Sequence, residues 1–129
     1  LAYLHANKIL YRDLKPDNVL IVSHSSSAKV NAKLADFGTS REVTDPLELF
    51  RYTAAVGTLA YMAPELLAGR GRAYNGKVDV YALGILLWAL WTQRTPHKGV
   101  KMWEVPKLVV GGARPEWPKN AAEFDADAE

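Results

Sequence analysis

Two short apolar runs frame a polar loop near the start of the chain. Ile9–Tyr11 and Val19–Val22 have the length and composition of short strands. The turn-rich stretch Ser23–Ser27 follows the second run and predicts a hairpin. The chain would return through another strand near Ala32–Ala35. The pattern therefore predicts a rigid loop, residues 12–18, held at one edge of a β-hairpin.

Helical patterns lie on both sides of this region. Leu1–His5 is typical of the last turns of a helix, with Asn7 as its C-terminal stop. Lys77–Trp91 is nearly all apolar after Asp79, which predicts a helix buried around its whole circumference. Because a bilayer span needs about 20 apolar residues, this run favours a core helix over a membrane helix. Met102–Val110 predicts a short amphipathic helix.

Length and composition limit the possible classes of protein. The 129 residues allow one domain at most, and the net charge of +2 gives no general case for nucleic acid or an anionic membrane as partner. The chain has no cysteine, so disulfides and thiolate metal sites are excluded. This composition fits a reducing compartment, and the cytoplasm is the default expectation.

The polar loop carries candidate chemistry. Asp13 and Asn18 lie on a loop that Pro16 stiffens, and the hairpin would return Asp36 beside Asn18. Two carboxylates and an amide that converge in this way suit phosphoryl transfer, because one carboxylate can accept a hydroxyl proton while the other groups hold Mg²⁺. Lys15 adds a positive charge for the phosphoryl group in transfer.

Four motifs in order resemble eukaryotic protein kinases. Tyr11–Asn18 resembles their catalytic loop, and Asp36–Gly38 resembles their magnesium-binding motif. Gly57–Glu65 resembles the end of their activation segment, and Asp79–Gly84 resembles the start of their long central helix. Each motif alone would indicate only a turn or a helix start, but their order makes chance similarity very improbable. The resemblance covers roughly Leu1 to Pro118.

The resemblance implies roles for the residues of the site. Asp13 would be the catalytic base, Lys15 would stabilise the transferred charge, and Thr58 would lie against both. Asn18 and Asp36 would hold Mg²⁺ against the phosphates of ATP. Leu20 would lie under the adenine ring, although an apolar strand residue is most often plain core.

Other residues would support or regulate this site. By resemblance, Tyr11 stands where the family most often has histidine, and its ring would pack beneath Phe37 of the motif that ends in Gly38. Arg12 would pair with a phosphorylated residue. Thr53 is the leading candidate for that residue, followed by Thr44 and Ser40.

Two more carboxylates have structural roles in the family. Asp79 would reach the backbone around Tyr11 and Arg12, although a carboxylate in a first helical turn can simply complement the helix dipole. Glu65 would be a buried partner of an arginine that lies beyond this segment. A buried carboxylate without its partner costs on the order of 3–5 kcal/mol, so we expect the isolated piece to be unstable or inactive.

The resemblance also implies the fold class. It is α+β: the mainly helical large lobe of the kinase fold, with short β-hairpins at the catalytic cleft, over residues 1–118. The small lobe of the same chain, which supplies half of the nucleotide site, and the last helices would be absent. Residues 119–129 form an acidic tail that we leave unassigned.

The expected function is serine/threonine phosphorylation of a protein substrate, with ATP and Mg²⁺. By resemblance, Lys15 and Thr58 favour specificity for serine and threonine hydroxyls. The segment Thr58–Glu65 and the helix that carries Trp88 and Trp91 most resemble the tyrosine-kinase-like group, which includes Raf-like and Roco-type kinases. The alternative is a pseudokinase-like module that binds partners without catalysis, although Asp13, Lys15, Asn18 and Asp36 are intact. A third possibility is that the fragment comes from a truncated gene model and has no independent function.

Overall fold

The computed structural model describes residues 1–23, 31–42, 58–68 and 75–119. Single helical turns at Pro16–Asn18 and Thr58–Tyr61 lie between its other elements. Within the described ranges the helices and strands follow in the order α1 (Ala2–Ala6), β1 (Ile9–Leu10), β2 (Val19–Ser23), β3 (Asn31–Leu34), β4 (Arg41–Glu42), α2 (Pro64–Leu67), α3 (Lys77–Thr92) and α4 (Val105–Val110).

The strands form two antiparallel pairs. β2 pairs with β3, with Val19 opposite Leu34, and the register shifts between Ile21 and Ser23. This pair confirms the predicted hairpin. β1 pairs with β4, with Leu10 opposite Arg41. The polar sequence from Thr39 to Val56, broken by Pro46, predicts only a loop, and β4 corrects this prediction at Arg41–Glu42. The reason is non-local, because the pairing of β4 depends on the distant strand β1 rather than on any apolar pattern of its own.

The core consists of two clusters that meet along α3. The first joins the polar loop to α3 through the buried residues Tyr11, Leu14, Ala82 and Leu86, and Leu1 and Leu4 of the α1 region pack against it. The second joins α2 to the start of α3 through Met62, Ala63, Leu66 and Val78. Leu1 and Leu4 therefore face the core, and α1 anchors the loop that follows it.

The long helix α3 matches its predicted bounds closely, but it is not buried on every side. Val80, Leu87, Leu90 and Trp91 are all more than half exposed. Together with the exposed Gly84 they form one apolar stripe along the helix. Hydropathy alone predicted burial of the whole circumference, and this prediction is wrong, because the core clusters cover only the opposite face. No helix in the described part of the chain is long and apolar enough to cross a membrane.

Helix α4 begins later than predicted. Its first residue is Val105 rather than Met102, and Pro106 occupies the first turn. Proline suits that position because the amide it lacks would have no partner within the helix. Val105 and Val109, one turn apart, are buried. The amphipathic character that the sequence predicted is therefore present over a shorter helix.

Candidate active site

The polar loop Tyr11–Asn18 is fixed at both ends by burial. Tyr11 and Leu14 are core residues, and Pro16 begins the helical turn in which the amide of Asn18 donates to the carbonyl of Lys15 at 3.1 Å. Proline restricts the backbone at the start of this turn. The loop between the two strands therefore has one defined shape.

Three polar side chains of this loop meet around Asp13. The amide nitrogen of Asn18 donates to Asp13 Oδ2 at 3.0 Å and to the Asp13 carbonyl at 2.8 Å. Lys15 Nζ lies 3.1 Å from the same Oδ2. Both Asp13 and Asn18 are buried, so these contacts are shielded from water. Oδ2 is thus occupied by an ammonium and an amide.

The second oxygen of Asp13 is the exception. Oδ1 is buried and has no hydrogen-bond partner among the described residues. Buried polar atoms are nearly always paired, so such an atom needs an explanation. A carboxylate with one oxygen fixed and the other unoccupied can accept a hydrogen bond from an incoming hydroxyl.

The hairpin brings Asp36 to the same loop. The amide of Ala35 donates a hydrogen bond to the Asn18 carbonyl at 2.9 Å. Asp36 is the next residue, so it directly follows a residue that contacts Asn18. Asp36 has a left-handed backbone with φ of 55°, and its Oδ1 accepts the Gly38 amide at 3.1 Å. A Cβ at residue 38 would lie only 3.1 Å from that oxygen. Glycine therefore suits this close approach, and the Asp36 side chain remains exposed.

The donor set fits Mg²⁺ rather than a metal held wholly by protein ligands. The described segments contain no group of three or more His, Cys, Asp or Glu side chains that could hold a metal. Asn18 uses its amide nitrogen on Asp13, which leaves its oxygen for a ligand, and Asp36 offers an exposed carboxylate. Mg²⁺ is commonly bound by one or two such oxygens and completes its shell with water and phosphate.

Tyr11 packs in the way that the sequence predicted. Its ring contacts Phe37 edge to face, with the centroids 5.3 Å apart, and its hydroxyl donates to the Ala35 carbonyl. Burial, followed by the negative charges of Asp13, Asp36 and Asp79, raises the pKa of Tyr11 to about 12. The phenol therefore stays protonated near neutral pH and remains a donor to the strand that leads into Asp36.

Asp79 holds the start of the loop from the first turn of α3. Its Oδ2 accepts the Tyr11 amide at 2.9 Å, and its Oδ1 accepts the Arg12 amide at 2.7 Å. Asp79 is completely buried. Two amide bonds from one carboxylate fix the orientation of the peptide that leads into Asp13. The carboxylate does more than complement the helix dipole.

His5 is the residue that sequence reasoning missed. Its Nε2 lies 2.8 Å from Asp79 Oδ2, although 74 positions separate the two residues. The short helical pattern at the start of the chain gave no sign of this contact. A histidine in a terminal helix and an aspartate in a distant one share no local spacing, so only the three-dimensional arrangement reveals the pair.

The predicted regulatory arginine has a backbone partner in this structure. The guanidinium of Arg12 donates through Nε to the Thr39 carbonyl at 2.8 Å, and its Nη2 also contacts that oxygen. Of its proposed phosphorylated partners, Thr53 and Thr44 lie outside the described residues. Ser40 is described, and its hydroxyl lies 3.4 Å from the Tyr11 carbonyl.

The remaining predicted residues have different surroundings. Thr58 is buried, and its hydroxyl accepts from Lys15 Nζ at 3.0 Å. Leu20 is 54% exposed on β2, so it is not part of the core. Glu65, in the first turn of α2, is only partly buried. This corrects the expectation of a buried carboxylate, and its solvent contact reduces the cost of a missing partner.

Comparison with known proteins gives a consistent result. The family model for the protein kinase domain matches residues 1–112. The chain is 43% identical over 114 residues to the probable serine/threonine-protein kinase gdt4 of Dictyostelium discoideum, which covers 88% of this chain and 7% of that protein. It is 40% identical over 118 residues to a probable LIM domain-containing serine/threonine-protein kinase of the same organism, covering 92% of this chain and 17% of that protein.

A vertebrate protein is also similar. Mitogen-activated protein kinase kinase kinase 13-B of Xenopus laevis is 43% identical over 98 residues, which cover 76% of this chain and 9% of that protein. The chain thus spans between 7% and 17% of the length of these three relatives.

Proposed function

The chain belongs to the protein kinase family, and from that premise we propose that it is the catalytic segment of a serine/threonine kinase. Residues 1–118 would form part of the large lobe, with the small lobe and closing helices supplied by further sequence. The complete domain would transfer the γ-phosphoryl group of ATP to a serine or threonine hydroxyl of a protein. The names of the similar proteins support this hydroxyl specificity.

The unpartnered Oδ1 of Asp13 is the observation that carries the proposal. Lys15 and Asn18 occupy Oδ2 and fix the plane of the carboxylate. Oδ1 would accept the hydrogen bond of the substrate hydroxyl, orient its oxygen towards phosphorus and take the proton as the new bond forms. Asp13 is therefore our candidate catalytic base.

Lys15 and Thr58 would act on the other side of the reacting atoms. Lys15 Nζ lies between Asp13 and Thr58, 3.1 Å and 3.0 Å from their oxygens. From there its charge would stabilise the transferred phosphoryl group. The buried Thr58 would hold the ammonium in that position and border the substrate hydroxyl.

Asn18 and Asp36 would hold Mg²⁺, and Leu20 would lie under the adenine ring of ATP. Bound Mg²⁺ supplies charge that neutralises the phosphate oxygens during transfer. The hydrogen bond from Ala35 to Asn18 supports this pairing, because it connects the two ligand-bearing segments. Tyr11, Phe37 and Asp79 would maintain the site without touching substrate.

Phosphorylation would regulate the segment through Arg12. A phosphate on Thr53, our first candidate, or on Thr44 or Ser40 could pair with its guanidinium. The proximity of Arg12 to Thr39 supports this idea, since it holds the guanidinium beside the chain that leads towards those residues.

Magnesium-dependent phosphate transfer from ATP to a generic protein substrate tests the function. The assay uses the restored domain, by which we mean this chain with a small lobe and closing helices joined to it. Asp13→Asn is expected to lower the transfer rate by about 10²–10⁴. Asp17→Asn is the matched control, because Asp17 is exposed on the same loop, and it should retain activity.

Each outcome has a clear meaning. Loss of transfer only in Asp13→Asn supports the assignment. A folded, complete and phosphorylated domain that transfers no phosphate would overturn the enzyme proposal and favour the pseudokinase-like binding module.

A further inference from the structure

We propose that a cavity at the C-terminal end of α3 binds a phosphoserine or phosphothreonine side chain of a partner peptide. The cavity has a volume of about 410 Å³. Its lining residues come from α3, from the loop that follows this helix and from the loop after α4. None of them has a role in the proposed phosphoryl transfer, so this inference goes beyond that function and does not depend on it.

The lining of the cavity carries an excess of positive charge. Arg94, Lys98 and Arg114 contribute three cations, and Glu116 contributes a carboxylate. These four side chains therefore have a formal net charge of +2. A phosphorylated side chain carries about −1.5 to −2 at pH 7, whereas an acidic side chain carries a single negative charge. The cavity thus matches a phosphate group better than it matches one carboxylate.

Arg114 is already held in place without a ligand. Its Nη1 donates to the carbonyls of Val109 at 3.1 Å and Ala113 at 2.7 Å, and its guanidinium carbon lies 5.1 Å from the centre of the Tyr81 ring. Its hydrogen bonds to the described residues all come from Nη1, so Nε and Nη2 remain as donors for a ligand. A restrained guanidinium loses less conformational entropy when it binds a phosphate.

His97 shows that the charge of Arg114 acts within this cavity. Burial, followed by the positive charge of Arg114, lowers the pKa of His97. The imidazole is therefore neutral near neutral pH and does not add to the positive charge of the lining. Its Nε2 is buried and has no hydrogen-bond partner among the described residues. A bound anion would offset the positive potential that Arg114 produces here.

Hydrogen bonds join the walls of the cavity. The amide of Val100 donates to the His97 carbonyl at 3.0 Å and closes a turn in the loop after α3. Trp88 Nε1 donates to the Glu116 carbonyl at 3.2 Å and attaches α3 to the loop after α4. The cavity is therefore preformed, and a ligand would lose little binding energy to reorganisation of the protein.

The size and lining of the cavity favour a peptide over free phosphate. Its volume lies in the range of about 300–1,000 Å³ that is typical of sites for drug-sized ligands. A phosphate ion alone would leave most of this space unfilled. Trp88, Val100 and Pro115 add apolar surface to the lining, which can contact the residues that flank a phosphoserine.

The first experiment measures peptide binding to the restored domain by fluorescence anisotropy, without ATP. The probes are labelled peptide pools with a central phosphoserine, serine or glutamate and randomised flanking positions. The phosphoserine pool is expected to bind at least about tenfold more tightly than the other two, because only phosphate offers a near-dianion to the guanidinium. Equal binding of the three pools, or no binding of the phosphoserine pool, would overturn the proposal.

Inorganic phosphate serves as a competitor in the same assay. We expect it to displace the phosphoserine pool only at concentrations at least about tenfold above the Kd of that pool, because it makes no contact with the apolar part of the lining. Displacement at concentrations close to that Kd would show that the cavity recognises free phosphate and would overturn the assignment to a peptide.

The second experiment compares two variants that each remove one positive charge. Arg114→Gln is expected to raise the Kd of the phosphoserine pool about tenfold or more, because hydrogen bonds between charged groups are lost. Lys107→Gln is the matched control. Lys107 is exposed on α4 and does not line the cavity, so its replacement should leave the Kd unchanged. Equal effects of the two variants would indicate non-specific charge attraction and contradict the proposed site.

Glu116→Gln provides a test that local misfolding cannot imitate. Arg114 also contacts Val109 and Tyr81, so weaker binding in Arg114→Gln has a structural explanation as well. Glu116→Gln keeps the backbone carbonyl that Trp88 contacts and removes only the carboxylate. It should therefore lower the Kd of the phosphoserine pool about two- to fivefold. Unchanged or weaker binding in this variant would contradict the electrostatic argument.

These measurements also separate the inference from the proposed kinase function. Binding is measured without ATP, so a domain that transfers no phosphate can still bind the phosphoserine pool, and then only the kinase proposal fails. A domain that transfers phosphate but binds no phosphoserine pool retains the kinase proposal and overturns this one.

Discussion

The two ends of α3 interact with the rest of the molecule in opposite ways. At its start, the fully buried Asp79 carries hydrogen bonds to the catalytic loop and to His5. Towards its end, Leu87, Leu90 and Trp91 are between 54% and 72% exposed. The helix is almost uniformly apolar, yet one end fixes the loop that carries Asp13 through polar contacts, while the other end presents apolar surface.

This difference shows what a buried charge can do that apolar packing does not. Apolar contacts are non-directional and hold α3 against the core. The carboxylate of Asp79 instead selects one orientation for two amides, because hydrogen bonds depend strongly on angle. The catalytic role that we propose for Asp13 requires a fixed orientation, and the polar end of the helix is the end that contacts its loop.

The largest effect is expected from Asp79→Ala. The change leaves the amides of Tyr11 and Arg12 without their acceptor in a buried site, so the free energy of unfolding should fall by about 3–6 kcal/mol. Asp79→Asn keeps one oxygen and should cost less. Urea denaturation of the restored domain measures both. Equal stability of Asp79→Ala and the unmodified chain would show that the polar end of α3 is not a restraint.

The next effect compares two tryptophans on the same helix. Trp88 is 7% exposed, and its Nε1 donates to the Glu116 carbonyl at 3.2 Å, whereas Trp91 is 72% exposed. Trp88→Ala should lower the free energy of unfolding by about 3–5 kcal/mol. Trp91→Ala should change it by no more than about 0.5 kcal/mol. The same urea experiment on the restored domain compares them, and similar losses for both would mean that the apolar stripe is covered in that domain.

Sequence patterns were sufficient where structure depends on near neighbours. The apolar run from Lys77 predicted α3, and the turn-rich stretch after Val22 predicted the pairing of β2 with β3. Asp13, Lys15 and Asn18 could be grouped because they lie within one short loop. Their mutual contacts follow from the turn at Pro16–Asn18, which the sequence itself specifies.

Features that depend on distant residues could not be predicted in this way. The contact of His5 with Asp79 joins the first helix to a helix more than 70 positions away, and no hydrophobic periodicity of the sequence indicates it. The exposed face of α3 could not be predicted from the sequence either. Its residues are as apolar as those of the buried face, so hydropathy cannot tell which side the core covers. Partial burial of Glu65 likewise depends on how α2 is oriented.

The smallest effect concerns the hydroxyl of Tyr11, a residue of the loop that the polar end of α3 contacts. Tyr11→Phe leaves the Ala35 carbonyl without this donor and should cost about 1 kcal/mol of unfolding free energy near neutral pH. Tyr81→Phe is the matched control. The Tyr81 hydroxyl is buried without a hydrogen-bond partner among the described residues, so its removal should cost nothing. Urea denaturation of the restored domain measures both variants.

The pH dependence sharpens this last comparison. The pKa of Tyr11 rises from its ordinary 10.0 to about 12 on folding, so its contribution to stability is complete below pH 10. Between pH 10 and 12 the unfolded chain loses the phenolic proton more readily than the folded chain, and the contribution is lost. The stability difference between the unmodified chain and Tyr11→Phe should therefore narrow as pH rises through this window. A constant difference up to pH 12 would mean that Tyr11 is not buried among the carboxylates as the structure shows, because their charge and the loss of water oppose its ionisation.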